Sequence, residues 1–225
     1  MEAVLHAGQA AQVISVRTFG AGAADAPVPG AAVSITTPNG TQMAAFESGR
    51  SPGVYFVDLT SYGHAIFPGA TYRLRVVTRS GDIVEGTTTV PQAFPVNESG
   101  GITPFSRSRD TLRASWDRVA DARSYYVTVT AHLSYAPGYF DLRYSTFADT
   151  AIALRGTLEH FDGDRVFTPD DTVTVVAGAV DDNFYTYYHA NVDPFAGTPP
   201  SRLSGALGVF GSFVPLYHRR FAVIE

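Results

Sequence analysis

The stretch Asp110-Thr-Leu-Arg-Ala-Ser-Trp116-Asp-Arg-Val119-Ala-Asp-Ala122-Arg-Ser-Tyr125-Tyr-Val-Thr-Val-Thr-Ala131 decides the fold class, because it carries two periodicities at once. Leu112, Trp116, Val119 and Tyr126 recur at roughly helical spacing behind Asp110, a residue suited to a helix N-cap. The competing parse puts Leu112, Ala114 and Trp116 on one face of a strand, turns through residues 117–122, and resumes with Tyr125, Val127, Val129 and Ala131 alternating on a second strand. The run Tyr-Tyr-Val-Thr-Val-Thr at 125–130 favours strands, since branched side chains lose rotamer freedom in a helix. Two strands are expected here.

Outward from that stretch the same period-2 pattern dominates. Strands are expected at 12–19, 32–37, 53–59, 71–78 and 83–90, and again at 139–146, 150–154, 172–180, 208–216 and 220–224. Turn chemistry separates them, as in Pro38-Asn39-Gly40, Ser51-Pro52-Gly53, Pro68-Gly69 and Ser80-Gly81-Asp82. No helix longer than two turns is signalled. Residues 91–105 read as a connector in which Pro91 and Pro95 stop a strand from continuing. The expected architecture is all-β, two tandem immunoglobulin-like sandwiches, with domains at 1–95 and 96–225.

Composition agrees with a folded, turn-rich chain. Of 225 residues 45% are hydrophobic, 12% aromatic and only 16% charged, with 21 Gly and 14 Pro. That length suffices for one large core or two small ones. No apolar run approaches the roughly 20 residues of a membrane-spanning helix. Cysteine is absent, which removes thiol nucleophiles, disulfides, iron–sulfur clusters and thiolate zinc sites. Every one of the 16 basic residues is Arg, so Schiff-base lysines and a P-loop lysine are excluded too. A net charge of −5 with scattered Arg offers no footprint for nucleic acid. No cofactor is expected. Residues 1–16 carry neither a basic start nor a continuous apolar run, so either the protein is cytoplasmic or a targeting segment precedes Met1.

The clearest candidate surface is aromatic. Phe184, Tyr185, Tyr187 and Tyr188 crowd the region after residues 172–180, and Tyr135, Tyr139, Phe140 and Tyr144 crowd another hairpin. On an extended strand one parity of 184–188 would face solvent, where rings stack on sugars or anchor a protein partner. The other parity would fill a core.

Acidic pairs supply hard oxygen ligands for a cation at Asp162, Asp164, Asp181 and Asp182, with Asp170-Asp171 a further pair. None has the ligand order of an EF-hand, and Asp, Asn and Gly are also ordinary turn residues. The six histidines show no metal-ligand spacing. No G-x-G-x-x-G turn is present.

Three resemblances follow from quoted residues. Trp116-x-x-Val119-x-x-Ala122-x-x-Tyr125-x-Val127-x-Val129 resembles the core of a fibronectin type III domain, which implies a buried Trp116 at its centre. Residues 172–180 would then be strand F, with Val173 where such domains usually place a corner tyrosine. Pro29-Gly30-Ala31-Ala32-Val33-Ser34-Ile35, Gly53-Val54-Tyr55 and Pro68-Gly69-Ala70-Thr71-Tyr72-Arg73-Leu74 are similar to transthyretin-like domains of the carboxypeptidase regulatory type. The whole, through Asp182-Asn183, Tyr187-Tyr188, Asp193-Pro194-Phe195 and Gly208-Val209-Phe210-Gly211-Ser212, resembles an uncharacterised bacterial family of unknown function. Its members are secreted or lipid-anchored, many from Bacteroidota. That resemblance implies an extracytoplasmic module, held by a lipid if a lipobox lies upstream of Met1, with a protein or glycan partner at the cell envelope. The alternative is an accessory domain or hydrolase acting on carbohydrate or peptide through Asp162, Asp164, Asp170, Asp181 and Asp182.

Overall fold

A computed structural model of the chain describes residues 1–16, 26–96, 100–132, 140–159, 164–192 and 201–225. In chain order its strands are β1 (Glu2–His6), β2 (Ala11–Ser15), β3 (Ala32–Thr36), β4 (Gln42–Ala44), β5 (Phe46–Glu47), β6 (Val54–Asp58), β7 (Thr71–Val77) and β8 (Ile83–Thr89). There follow β9 (Thr103–Ser106), β10 (Thr111–Ser115), β11 (Ser124–His132), β12 (Phe140–Ala148), β13 (Ala151–Arg155), β14 (Thr172–Val180) and β15 (Val209–Ile224). A helix, α1 (Asp182–Val192), lies between the last two strands. The all-β expectation holds, and the deciding stretch resolves into β10 and β11 with a turn between them.

The chain divides into two compact units. One is Met1–Ala93, Ala120–Arg123 and Val180–Val214; the other is Phe94–Val119, Ser124–Ala179 and Pro215–Glu225. These are not the contiguous halves 1–95 and 96–225. The chain crosses from the first unit to the second between Ala93 and Phe94, and residues 120–123 and 180–214 return to the first. The reason is strand pairing: β1 runs parallel to the start of β15, from Glu2 opposite Val209 to His6 opposite Phe213.

In the first unit β1 is flanked by β15 and β2, and β2 continues through β6 to β5. A second sheet has the order β4-β3-β7-β8. Strand β7 shows why the pattern was readable: Tyr72, Leu74 and Val76 are buried while Thr71, Arg73 and Arg75 are exposed, as the two-residue period requires. Leu5, Ile14, Tyr55, Val57, Ile35, Met43 and Leu74 supply the core. Two buried phenols have their hydroxyls satisfied by the backbone. Tyr55 donates to the Val28 carbonyl at 2.7 Å and accepts from Ala31 N–H at 2.9 Å. The Tyr72 hydroxyl accepts from Phe67 N–H at 3.0 Å.

In the second unit the order is β12-β11-β14-β15, with β9 parallel to β15, and β10 pairs with β13. Strand β14 is buried along nearly its whole length, which its unbroken apolar run anticipates. Phe105, Phe167 and Phe221 form the aromatic centre of the core, with ring centroids 4.8 and 5.9 Å apart. Trp116, expected at that centre, is only partly buried: it packs against the core, lies 5.6 Å from the Tyr125 ring and donates its indole N–H to the Asp149 carbonyl at 3.1 Å. Its polar edge needed an acceptor, which the rim of the unit offers and the core does not. Val173 is a fully buried core residue, and the Tyr125 hydroxyl accepts from Val119 N–H at 2.7 Å.

The ranking of these aromatics is testable. Phe167→Ala should cost about 3–5 kcal/mol, the usual range for truncating a large core aromatic. Trp116→Ala should cost clearly less, as read by urea unfolding; equal or reversed losses would return the tryptophan to the centre.

Candidate functional site

The expected extended segment 184–188 is helical. Residues 182–192 are a poor helix on propensity, being mostly aromatic, Thr, Asn and Asp. The helix exists because its start is tied down. Asp181 caps it: Oδ1 accepts from Phe184 N–H at 3.1 Å, and the Asp181 carbonyl accepts from Tyr185 N–H at 3.1 Å. The same carboxylate accepts from Ser212 N–H on β15 at 2.9 Å and from the Thr88 hydroxyl on β8 at 2.7 Å. Asn183 donates its amide to the Thr87 carbonyl at 2.6 Å and the Phe210 carbonyl at 2.9 Å. The first turn sits so close to β15 that a Cβ on Gly211 would lie 3.0 Å from the Phe184 Cβ and 3.1 Å from Asp181 Oδ1. Gly211 is thus a packing glycine.

Helical spacing, not strand parity, sorts the aromatics. Phe184 is buried and its ring lies 4.4 Å from that of Tyr188, one turn on, and 6.4 Å from Phe213. Tyr185 pairs with His189 at 4.8 Å, also one turn on, and the Arg123 guanidinium lies 4.8 Å from the Tyr185 ring. Tyr187 meets Tyr188 edge-on at 5.2 Å. Tyr185, Tyr187 and Tyr188 are half-buried, and Tyr188 donates to Glu2 at 2.7 Å. All of these residues belong to the first unit, so Phe184 is a core anchor there. Of the second aromatic group, Tyr135 and Tyr139 lie outside the described residues, while Tyr144 packs on the core of the second unit.

The acidic residues do not converge. Asp162 lies outside the described residues; Asp164 is exposed and Asp170 sits in a turn at φ 67°. Asp171 is paired with Arg143 at 3.3 Å. Asp182 is paired with Arg123 at 3.3 Å and with Arg202. Asp181 and Asp182 belong to the first unit, Asp164, Asp170 and Asp171 to the second. Among the described residues no three His, Asp or Glu side chains are grouped to hold a metal ion.

Three grooves of the first unit, formed by described residues, are lined by none of these aspartates. One of about 260 Å³ runs beside α1, lined by Tyr188, Glu2, His6, Gln9, Val13 and Ser15. Another of about 490 Å³ lies on the outer face of the four-stranded sheet, where Arg73, Arg75, Glu85, Thr87 and Arg202 line it. It adjoins a third of about 430 Å³ that shares Thr36 and Arg73. Sequence reasoning missed both sheet-face grooves. Their signal was there, in the polar parity of Thr71-x-Arg73-x-Arg75 and Glu85-x-Thr87-x-Thr89, but only strand neighbours bring those rows together.

Taken with its sheets, the site is that of a β-sandwich protein with a capped aromatic helix in one unit. The chain belongs to the family described as Domain of unknown function (DUF4249), which matches residues 1–214. No curated protein matches it. Among solved structures, a tetra-tandem repeat in the extending region of a large adhesion protein is similar at 16% identity, over 98% of this chain and 49% of that one. Its TM-score is 0.26, which carries no argument about function, and this chain spans about half its length.

Asp181 makes a measurable signature. Burial pushes its carboxyl above its ordinary value, against the pull of the hydrogen bonds from Thr88, Ser212 and Phe184. A raised acid holds its proton more tightly in the folded state, so its contribution is full below the unfolded value and lost as pH rises through the folded one. Asp181→Asn removes that titration while keeping the shape. Subtracting the Asn variant's unfolding free energy from the wild type's should therefore give a difference that grows as pH falls toward 4, roughly the ordinary Asp value. Parallel profiles would contradict it. Asp181→Ala, which orphans Ser212 N–H and Thr88, should cost about 1–3 kcal/mol near pH 4, the cost shrinking through the same titration as pH rises.

Proposed function

We propose that the protein is a non-catalytic binding or structural module of a bacterial cell envelope, presenting the tyrosine face of α1 to a protein or glycan partner. The observation that carries this reading is the placement of Tyr188 in the wall of a groove of about 260 Å³, opposite Val13, which is 49% exposed. Half-buried tyrosines held by a buried Phe184 and a capped helix start lose little freedom on binding, which favours them as anchors. An aromatic wall beside a carboxylate and an imidazole suits a sugar ring or a small polar segment of protein. The compartment is extracytoplasmic, as the resemblance to secreted and lipid-anchored proteins implies. The first unit is read as a transthyretin-like sandwich and the second as a fibronectin type III-like one.

The hydrolase alternative needed two facing carboxylates in one cleft, and Asp171, Asp181 and Asp182 are engaged elsewhere by Arg143, Arg123 and Arg202 or by the helix cap. A glycan array together with sedimentation on purified cell-envelope polysaccharide checks the binding reading. Joint replacement of Tyr187 and Tyr188 by Ala should weaken binding about tenfold or more, the loss expected for interface anchors, while the unfolding midpoint shows the fold kept. Full retention by the variant would remove α1 as the binding face, and steady release of reducing ends would make the protein an enzyme.

A further inference from the structure

The geometry points to the outer face of the β4-β3-β7-β8 sheet as a binding site for a carboxylate-bearing oligosaccharide, with Arg73 as the residue that receives the carboxylate. This goes beyond the reading of the tyrosine face, since the two surfaces share no lining residue.

A polar row crosses the whole sheet. Gln42 on β4 is opposite Thr36 on β3, Thr36 is opposite Arg73 on β7, and Arg73 is opposite Thr87 on β8. Directly opposed residues put their side chains on the same face within contact range. The row therefore offers an amide, a hydroxyl, a guanidinium and a hydroxyl, one per strand at about 4.8 Å intervals. Each of these groups donates hydrogen bonds, and three of the four also accept.

Charge then selects among polar ligands. Arg75 is paired with Glu85 at 3.2 Å, and Arg202 with Asp182. The Arg73 side chain has no ion pair or hydrogen bond to any described residue, although it lines both adjoining grooves. The groove thus holds three guanidinium groups against one carboxylate on a chain whose net charge is −5. A free planar guanidinium flanked by hydroxyls is matched by a carboxylate, which it grips through two parallel hydrogen bonds.

A peptide fits this face less well. An added strand needs an open edge, and the outer edge of β8 is already met by Ser204, whose N–H donates to the Glu85 carbonyl at 2.8 Å while its carbonyl accepts from Glu85 N–H at 3.1 Å. Nor does the face present pockets for apolar anchors, since Leu74, which borders the groove, is itself buried in the core. Two adjoining grooves of about 490 and 430 Å³ are each of the size that small ligands occupy.

Isothermal titration of the whole chain with tetragalacturonate tests the site, with maltotetraose as the neutral counterpart and pentaglutamate as the acidic peptide. Tetragalacturonate should bind, more weakly as salt rises, and Arg73→Gln should weaken it about tenfold or more, as loss of a charge-assisted bidentate contact does. Thr87→Val should weaken it as well. Arg113→Gln, an exposed arginine of β10 in the other unit, should leave it unchanged. The proposal is overturned if Arg73→Gln binds as well as the wild type, if maltotetraose binds equally, or if pentaglutamate binds more tightly. It is overturned too if replacement of Tyr187 and Tyr188 abolishes tetragalacturonate binding while Arg73→Gln does not, an outcome that would leave the tyrosine face standing.

Discussion

A buried carboxylate holds the first unit together around its helix. Asp181 is almost fully removed from solvent, which disfavours its charge, yet its two oxygens take hydrogen bonds from a strand backbone, a strand hydroxyl and the first turn of α1. Any one of those bonds is modest; their value lies in joining β8, β15 and α1 at one atom pair. Asn183 doubles the join by bridging the carbonyls of Thr87 and Phe210, and Gly211 permits it by leaving room for the helix. A side chain able to replace Asp181 must accept from two N–H groups at once and still engage Thr88.

The residue after it extends the same logic to the surface. Asp182 engages Arg123, whose guanidinium also lies against the Tyr185 ring, and Arg202, which forms part of the wall of the sheet-face groove. The start of one helix thereby orients an aromatic face and a basic groove wall. With every cation in the chain an arginine, such contacts are planar and directional where lysine would give a mobile point charge.

Strands were legible where alternation maps directly onto burial, as in β7 and β11, and where an unbroken apolar run marks a strand covered on both faces, as in β14. What escaped was set by distant partners. Strand β1 is five residues of mixed character, and it is a strand because it pairs with residues 209–213. Helix α1 escaped because its residues favour other structures and its cap, Asp181-Asp182-Asn183, reads equally as a turn; the one local hint was the spacing of Phe184 to Tyr188 and Tyr185 to His189. Trp116 was misplaced because a tryptophan that must satisfy its N–H sits at a rim as readily as in a centre. The row across the sheet was invisible for a different reason: Thr36, Arg73 and Thr87 acquire meaning only as neighbours, and register is not written in any one strand.

The parallel pairing of β1 with β15 also sets a schedule for the ribosome. His6 meets Phe213, so β1 waits for a partner made about two hundred residues later. At common elongation rates that interval is on the order of ten to forty seconds. Throughout it one side of β1 has only solvent or a chaperone to pair with, while β2 can already close on the other side. A nascent chain halted before residue 209 would keep that edge open, which makes premature termination more hazardous for this protein than for one whose units are sequential.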